Sequence, residues 1–452
     1  MGSLPDAVAP FKFLIVGCSY SGLSSALNLL DLCNGQSPRM SHEPYKHHPQ
    51  FKRIPIEITI VDERDGFLHL IGCPMAFVSS DYASKTWVRF QDIPALQRPN
   101  VRFVQGSVDK VDTAAKAATV LAHATKEPLE LSYDFMIVGS GLRRVFPVVP
   151  QSLLRKQFLL EAEEHIHAVT NAPDGVIVVG GGAVGIEMAA ELKVIRPDIN
   201  VTLVHSRDQL LSSEGLPDEC KTRALELLRE TGVEVLLGHR VAETVKLPSP
   251  SPSTSTPCSS TPSTRARYEV RFTNGHKVLT SEVIMAISRP KPSTGFLPAA
   301  ALDEEGYARI RPNLFLEPAD GLHNVDRHIV AGDAARWSGI KRCGGAMHMG
   351  HFAAYNCHQR MLEILTAGGQ GEVPGEGRHE AKFQELSFFP NVIGLAVGKK
   401  AVACGPDGTI SGEDVMQAYF RDDLGFQICW NYMQLGKTAA EEDMPPTIEA
   451  SA

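Results

Sequence analysis

The sequence predicts an α/β protein containing two strand–glycine turn–helix units and a small α+β segment toward its C-terminal end. Three observations carry that expectation. Residues 13–30, "FLIVGCSYSGLSSALNLL", pass from an apolar run through a glycine-bearing turn into a helical pattern. Residues 175–195, "GVIVVGGGAVGIEMAAELKVI", repeat the same logic. The chain has 452 residues, 43% hydrophobic and 21% charged, which suits a soluble globular protein of two or three domains.

In chain order, residues 11–30 read as strand, turn and helix. Residues 31–54 have no clear period and read as an inserted loop. "IEITIVDE" (56–63) is a second strand, and "YDFMIVGSG" (133–141) is a third apolar run ending in a glycine turn. After the second unit, "NVTLVHSR" (200–207) and "RHIVAGDAA" (327–335) are further strands. The stretch 247–267, "LPSPSPSTSTPCSSTPSTRAR", is too rich in Pro, Ser and Thr to build a core. Alternating strand-like sequence flanks it, so it reads as a disordered loop within the second domain. The first ten residues and the acidic tail from about 438 read as loose ends.

The bulk numbers exclude several function classes. The net charge of −8 and the lack of a long basic run argue against nucleic acid. No apolar run reaches the roughly 18 residues of a membrane-spanning helix. The start lacks the features of a secretion signal, and Asp6 stands where a myristoylation signal wants Ser or Thr. Nine scattered cysteines argue against a disulfide scaffold and for a reducing, cytoplasmic setting. No two of them have CxxC or CxxxxC spacing. The 16 histidines show no metal-binding spacing, so no metal is expected.

The two glycine turns carry the chemistry. Gly180, Gly182 and Gly185 form a full GxGxxG between a strand and a helix. The first glycine allows the tight turn, the second the approach of a pyrophosphate, and the third close helix–strand packing. The free N–H groups of the helix start suit phosphate. About 20 residues on, where a carboxylate would hold an adenosine ribose, stand His205, Ser206 and Arg207. Arg207, with His205, could accept a 2′-phosphate, which modestly favours NADPH over NADH. In the opening turn, Gly17, Ser19, Ser21 and Gly22 keep the pattern with serine as its middle residue. Asp62, at the end of the second strand, is placed for a ribose hydroxyl, and the inserted loop explains its long spacing from Gly17.

The ordered set "GCSYSG" (17–22), "IVGSGLRR" (137–144), "GGGAVGIEMAAE" (180–191) and "IVAGDAA" (329–335) resembles flavoproteins with two dinucleotide domains. "DGFLHLIGCP" (65–74) and "GDAARWSGIKRCGGAMHMGHFAAYN" (332–356) resemble the apoptosis-inducing-factor-like branch, which includes the ferroptosis-suppressor type of NAD(P)H:quinone oxidoreductase. The resemblance spans roughly residues 11–435 outside the two loops. It departs at Ser19 and at Gly139-Ser140-Gly141, where the family has Ala-Thr-Gly. It implies two nested Rossmann-like domains of three-layer ββα form and a small α+β C-terminal domain. FAD would occupy residues 11–165 and 301–380, NAD(P)H would occupy 166–300, and 381–440 would form the last domain.

The resemblance also implies site roles. Gly141, Arg143, Gly332 and Asp333 would contact FAD, Lys341 would lie near the flavin ring, and Glu187 near the nicotinamide. Cys73 falls close to where some relatives keep a single flavin-facing cysteine. His348 is a candidate proton donor, with packing between Met347 and Met349 as its plainer role. Phe426, Trp430 and Tyr432 would be core or interface residues, or else the wall of a pocket for a flat aromatic molecule. With no pair of cysteines at the required spacing, disulfide reduction is not expected. The expected function is hydride transfer from NAD(P)H through FAD to a quinone-like or other small-molecule acceptor. The alternatives are a flavin oxidase or monooxygenase acting on an aromatic metabolite, and a non-enzymatic redox sensor.

Overall fold

The computed structural model describes residues 9–41, 43–248, 266–367 and 378–438. The sequence-predicted loose start, the core of the Pro/Ser/Thr stretch with Cys258, and the tail lie outside the described residues.

The chain opens with strand β1 (Phe11–Val16) and helix α1 (Tyr20–Cys33), followed by β2 (Ile56–Asp62). β1 pairs in parallel with β2, from Phe11 opposite Ile56 to Val16 opposite Val61. Next come β3 (Val101–Asp112), β4 (Ala117–Ala122), β5 (Pro128–Ser132) and β6 (Phe135–Val138). β3 continues the parallel sheet beside β2, then β4 and β5 extend it as antiparallel strands. β6 pairs in parallel on the other side of β1. Side chains on both faces of β6 and of the end of β1 are buried, so these central strands read as near-continuous apolar runs.

Helix α2 (Arg155–Thr170) leads into a second unit. Its elements are β7 (Val176–Val179), α3 (Ala183–Ile195), β8 (Val201–Val204), α4 (Asp218–Glu230) and β9 (Glu234–Leu236). The hairpin strands β10 (Val241–Lys246), β11 (Tyr268–Phe272) and β12 (Lys277–Thr280) follow, then β13 (Glu282–Met285). The parallel sheet has the order β9-β8-β7-β13, and β10, β11 and β12 form a separate antiparallel layer. β10 and β11 pair up to Lys246 opposite Tyr268, so the low-complexity stretch joins two strands of one hairpin. The chain leaves the first sheet for this unit and returns through two short antiparallel strands, Leu142–Arg143 and Lys291–Pro292.

After the return, β14 (His328–Val330) joins the edge of the first sheet in parallel with β6. The long helix α5 (Cys343–Ala367) then covers α1. The C-terminal part holds an antiparallel sheet of β15 (Ile393–Val397), β16 (Lys400–Gly405) and β17 (Gly408–Gly412), with short helices α6 (Glu413–Tyr419) and α7 (Phe426–Tyr432). The mixed α/β class and the two parallel-rich sheets are those expected from the sequence.

α1 is buried along its whole length, including Ser24, Ser25, Asn28 and Asp31. Its polar groups are satisfied locally and across the helix contact: Ser24 Oγ donates to the Met347 carbonyl of α5 at 2.7 Å, while Ser25 Oγ donates within α1 to the Ser21 carbonyl at 2.8 Å and lies 3.2 Å from the Gly350 carbonyl of α5. A Cβ on Gly350 would lie 2.4 Å from the Ser21 carbonyl oxygen, so glycine is what lets α5 reach the backbone of α1. The inserted loop is tied to the same helix. Arg39 forks onto Asp31, Nη2 to Oδ1 at 2.6 Å and Nε to Oδ2 at 2.9 Å, with side chains only 3% and 4% exposed. The Tyr45 hydroxyl lies 2.9 Å from His358 Nδ1 on α5.

Removing one partner of a buried ion pair leaves the other charge uncompensated. Asp31→Ala is expected to lower unfolding stability by about 3–5 kcal/mol, read from chemical denaturation.

Candidate active site

One cleft of about 1660 Å³ gathers the C-terminal ends of the central strands of both parallel sheets and the face of the C-terminal sheet. Such strand ends are where open α/β sheets bind ligands. The volume exceeds the roughly 300–1,000 Å³ of a single small-molecule pocket, leaving room for two nucleotides.

The first glycine turn forms one end. Gly17 sits at φ +84°, and a Cβ there would come within 2.7 Å of the Gly139 carbonyl oxygen. A Cβ on Gly22 would lie 1.9 Å from the Gly17 carbonyl oxygen. Ser19 is the N-cap of α1, yet its hydroxyl makes no cap bond. That oxygen is buried without a partner, beside the free N–H groups of the helix start. Asp62 accepts the Cys18 N–H at 2.6 Å and the Arg64 N–H at 2.8 Å, holding the turn while it lines the cleft. Burial raises its carboxyl above the usual range. Arg143 pairs with Glu63 at 2.5 Å on the same wall, and Ser21 and Gly141 line it too. Gly332 (φ +77°) does not face the cleft. A Cβ there would meet Ser21 Oγ at 2.8 Å, so Gly332 and Gly22 serve close packing.

Asp333 and Lys341 both line the cleft. The Lys341 ammonium donates to the Ala335 carbonyl at 2.6 Å and stands 5.3 Å above the centre of the Tyr307 ring. Burial pushes the Asp333 carboxyl up and the Lys341 amine down, and each opposes the shift of the other.

Two sequence candidates do not reach this space. Cys73 is 1% exposed within the core shared with the second unit, and burial holds its thiol at about 12, against the thiolate that redox work needs. His348 faces away from the cleft, its ring 4.2 Å from Phe352 and 6.0 Å from Phe389.

The second turn forms the other end. Gly180 sits at φ +124°, and a Cβ on Gly185 would lie 1.9 Å from the Gly180 carbonyl oxygen. Gly182 has open space where a Cβ would be, which is the room a pyrophosphate needs. His205 Nδ1 accepts the Gly181 N–H at 3.1 Å, and its Nε2 lies 2.9 Å from Ser212 Oγ. His205 thus braces the turn, and Arg207 is a cation at this rim, its Nη1 3.0 Å from the Ser212 carbonyl oxygen. On α3, Glu187 edges the cleft and takes a backbone hydrogen bond from Ala396 of β15. One turn deeper, Glu191 is 2% exposed with an unpartnered carboxyl oxygen. Burial raises both carboxyls to about 8, and for Glu187 the neighbouring Glu191 adds to the shift. Glu187 keeps partial access to the cleft, so Glu191 is the better sealed of the two.

The third wall comes from the C-terminal part: Ile393, Gly394, Tyr419, Phe420 and Ile428. Phe426 and Trp430 face elsewhere. They line a separate surface pocket with Trp87, and Phe426 packs edge-on to His69 at 5.4 Å. Tyr432 is 42% exposed. The aromatic spacing of α7 therefore marked the face away from the cleft, and the cleft side carries Ile428 and Cys429. Cys343, at the start of α5, and Cys429 are both free and both line the cleft.

Residues 11–350 match the family described as "Pyridine nucleotide-disulphide oxidoreductase". The chain belongs to this family. It is 47% identical over 440 residues to "Oxidoreductase OXR1" of Ajellomyces capsulatus, covering 96% of this chain and 90% of that one. It is 30% identical over 355 residues to "Ferroptosis suppressor protein 1" of Mus musculus, covering 77% and 88%. Among solved structures, the water-forming NADH oxidase of Lactobacillus brevis superposes with a TM-score of 0.57 at 15% identity, covering 87% of this chain and 74% of that one. A Bacillus anthracis protein titled "CoADR-RHD" gives 0.58 at 18%, covering 91% and 64%. These two likenesses establish the two-domain dinucleotide-binding fold.

The protein is accordingly an NAD(P)H-dependent oxidoreductase with FAD as its prosthetic group. The residues fit both groups: an orphaned Ser19 hydroxyl at one turn, and an open backbone at Gly182 in the other. Among the described residues no helix is long and apolar enough to cross a membrane, and no group of side chains could hold a metal ion.

The buried acids imply a pH dependence. Carboxyls that keep their proton to about pH 8 when folded, but lose it near 4.5 when unfolded, make the folded state the better proton binder between those values. Stability should be greatest on the acid side and fall as pH rises from about 5 to about 8. Glu191→Gln should make that fall shallower, read from thermal unfolding midpoints across this range.

Proposed function

We propose that the protein passes two electrons from NADPH, by way of FAD, to a small quinone-like acceptor. The observation that carries this reading is the continuity of the cleft: the Arg207 rim, the Gly17–Asp62 turn and an apolar C-terminal wall border one space. FAD, when bound, supplies the two-electron relay between nicotinamide and acceptor.

The chain's own groups bind, orient and stabilise charge. Ser19, Asp62 and Arg143 would hold the nucleotide half of FAD, with Asp333 and Lys341 at its flavin half. Lys341 is fixed by the Ala335 carbonyl and the Tyr307 ring, so its charge is already in place to stabilise negative charge that develops beside it. Gly180 and Gly182 would admit the NADPH pyrophosphate. Arg207 would meet the 2′-phosphate, in a rim where residues 205–207 contain no carboxylate to repel it. Glu187, protonated near neutral pH, can donate a hydrogen bond to the carboxamide oxygen of a nicotinamide. Ile393, Tyr419, Phe420 and Ile428 offer a flat aromatic acceptor an apolar face. A cytoplasmic setting accords with the eight free cysteines among the described residues.

Anaerobic stopped-flow mixing tests the reading. NADPH should bleach the flavin absorbance, and a soluble quinone should restore it much faster than air-saturated buffer does. Restoration by oxygen as fast as by quinone, in step with hydroxylation of an aromatic substrate, would replace it with the monooxygenase reading. For nucleotide choice, Arg207→Ala should raise KM for NADPH about 10- to 100-fold, the loss of one charge-assisted hydrogen bond, while KM for NADH stays unchanged.

A further inference from the structure

Two cations on the cleft wall share one aromatic ring but are held in opposite ways. Lys341 Nζ stands 5.3 Å from the centre of the Tyr307 ring, and the Arg336 guanidinium stands 5.8 Å from it. Carboxylates answer Arg336: Glu305 at 2.5 Å and Asp303 at 3.5 Å. Among the described residues Lys341 has no carboxylate at ion-pair distance, and its fixed partners are the Ala335 carbonyl oxygen at 2.6 Å and the Tyr307 ring. Burial lowers its amine, and Asp333, beyond that distance, opposes the shift.

The ring is itself built into place. Asp303 Oδ1 accepts the Tyr307 N–H at 2.8 Å and the Glu305 N–H at 2.9 Å, closing a turn in which Gly306 sits at φ +88°. Backbone bonds tie this turn to the segment after Asp333. The Ala308 N–H donates to the Ala334 carbonyl at 3.0 Å, and the Arg336 N–H to the Ala308 carbonyl at 2.8 Å. The Tyr307 ring is thereby set against the stretch of chain that leads to Lys341.

We propose that Tyr307 is a positioning residue for the flavin reaction: its ring holds the Lys341 ammonium in place without cancelling its charge, and so raises the reduction potential of bound FAD. The inference rests on the placement of Lys341 at the flavin half of FAD argued above. A flavin that takes up two electrons and one proton gains one negative charge. A carboxylate partner for Lys341 would neutralise the cation and repel that added charge. An aromatic face attracts a cation through its quadrupole and carries no net charge, so the whole positive charge stays available to the reduced ring system. The carbonyl alone would leave the flexible lysine stem more room to swing.

A double-mutant cycle on Tyr307 and Lys341 tests this. It is read as the midpoint potential of FAD-loaded full-length protein, equilibrated anaerobically against dyes of known potential. Tyr307→Leu should shift the balance about 3- to 10-fold toward oxidised flavin, a fall of about 15–30 mV, because tenfold is about 30 mV for a two-electron couple. Tyr307→Phe keeps the aromatic face and should match the wild type. Lys341→Met should fall at least as far as Tyr307→Leu, and adding Tyr307→Leu to it should change nothing further. A ring with a merely structural role would not show that dependence on the lysine. Three results would each overturn the proposal: a Tyr307→Leu potential equal to wild type, an equal fall in Tyr307→Phe, or the same further fall when Lys341→Met is already present. In each case a fall in Lys341→Met leaves the flavin placement standing. A Lys341→Met potential equal to wild type overturns that placement, and the proposal with it. If Tyr307→Leu does not fold, fluorinated phenylalanines at position 307 weaken the ring face at nearly constant shape. The potential should then fall with each added fluorine, and a flat series overturns the proposal.

Discussion

The first glycine turn works because backbone stands where side chains would otherwise be. Gly22 presses on the Gly17 carbonyl, Gly17 on Gly139, and Gly332 on Ser21, so three segments of chain meet within the reach of a missing methyl group. That contact sets the position of α1 over the sheet, and Gly350 then lets α5 lie directly on α1. The start of α5 carries Cys343, and the loop before it carries Lys341 and Asp333. The chemistry-bearing groups are thus placed by a column of close backbone contacts rather than by side-chain fit. Any added Cβ would push apart elements that are distant in sequence, which is why interiors packed this densely tolerate so little.

A second constraint is electrostatic. The cleft removes several charged groups from water, and each is answered locally. Asp62 is met by two backbone N–H groups, and Lys341 by a carbonyl, an aromatic face and Asp333. Glu187 and Glu191 have no cation to answer them, and they hold protons instead. An apolar, partly dry cleft with pre-placed charge is what transfer between two stacked ring systems requires, because the charge then needs no rearrangement as electrons move.

Much of the fold and of the site was legible in the sequence. Val176–Val179 followed by Gly180, Gly182 and Gly185 announced strand, turn and helix, because each glycine answers a steric need that no other residue meets. Asp62 and Arg207 followed from counting along a strand. Less legible were features that arise only when distant segments meet. The burial of α1 owes much to α5, and nothing in "LSSALNLLDLC" shows that Ser24 would find a carbonyl across a helix contact. His205 turned inward to Gly181 because its ring nitrogen can serve a backbone donor as well as a ligand. The helical spacing of Phe426 and Trp430 marked an apolar face correctly, but could not say which of two cavities it faced.

The C-terminal sheet changes how the two nucleotide units can move. Covalently, the second unit hangs on two adjacent short strands, Leu142–Arg143 and Lys291–Pro292, an attachment that by itself would permit a swing. Yet β15 and β16 pack Leu395, Val397 and Val402 into the second unit's core, and Lys400 reaches Glu230 at 3.0 Å. Meanwhile α7 sends Cys429 into the core of the first unit, with Met433 just beyond it. The sheet is a strut bolted at both ends across the joint. Contacts at both ends thus oppose a swing that the two short strands alone would allow.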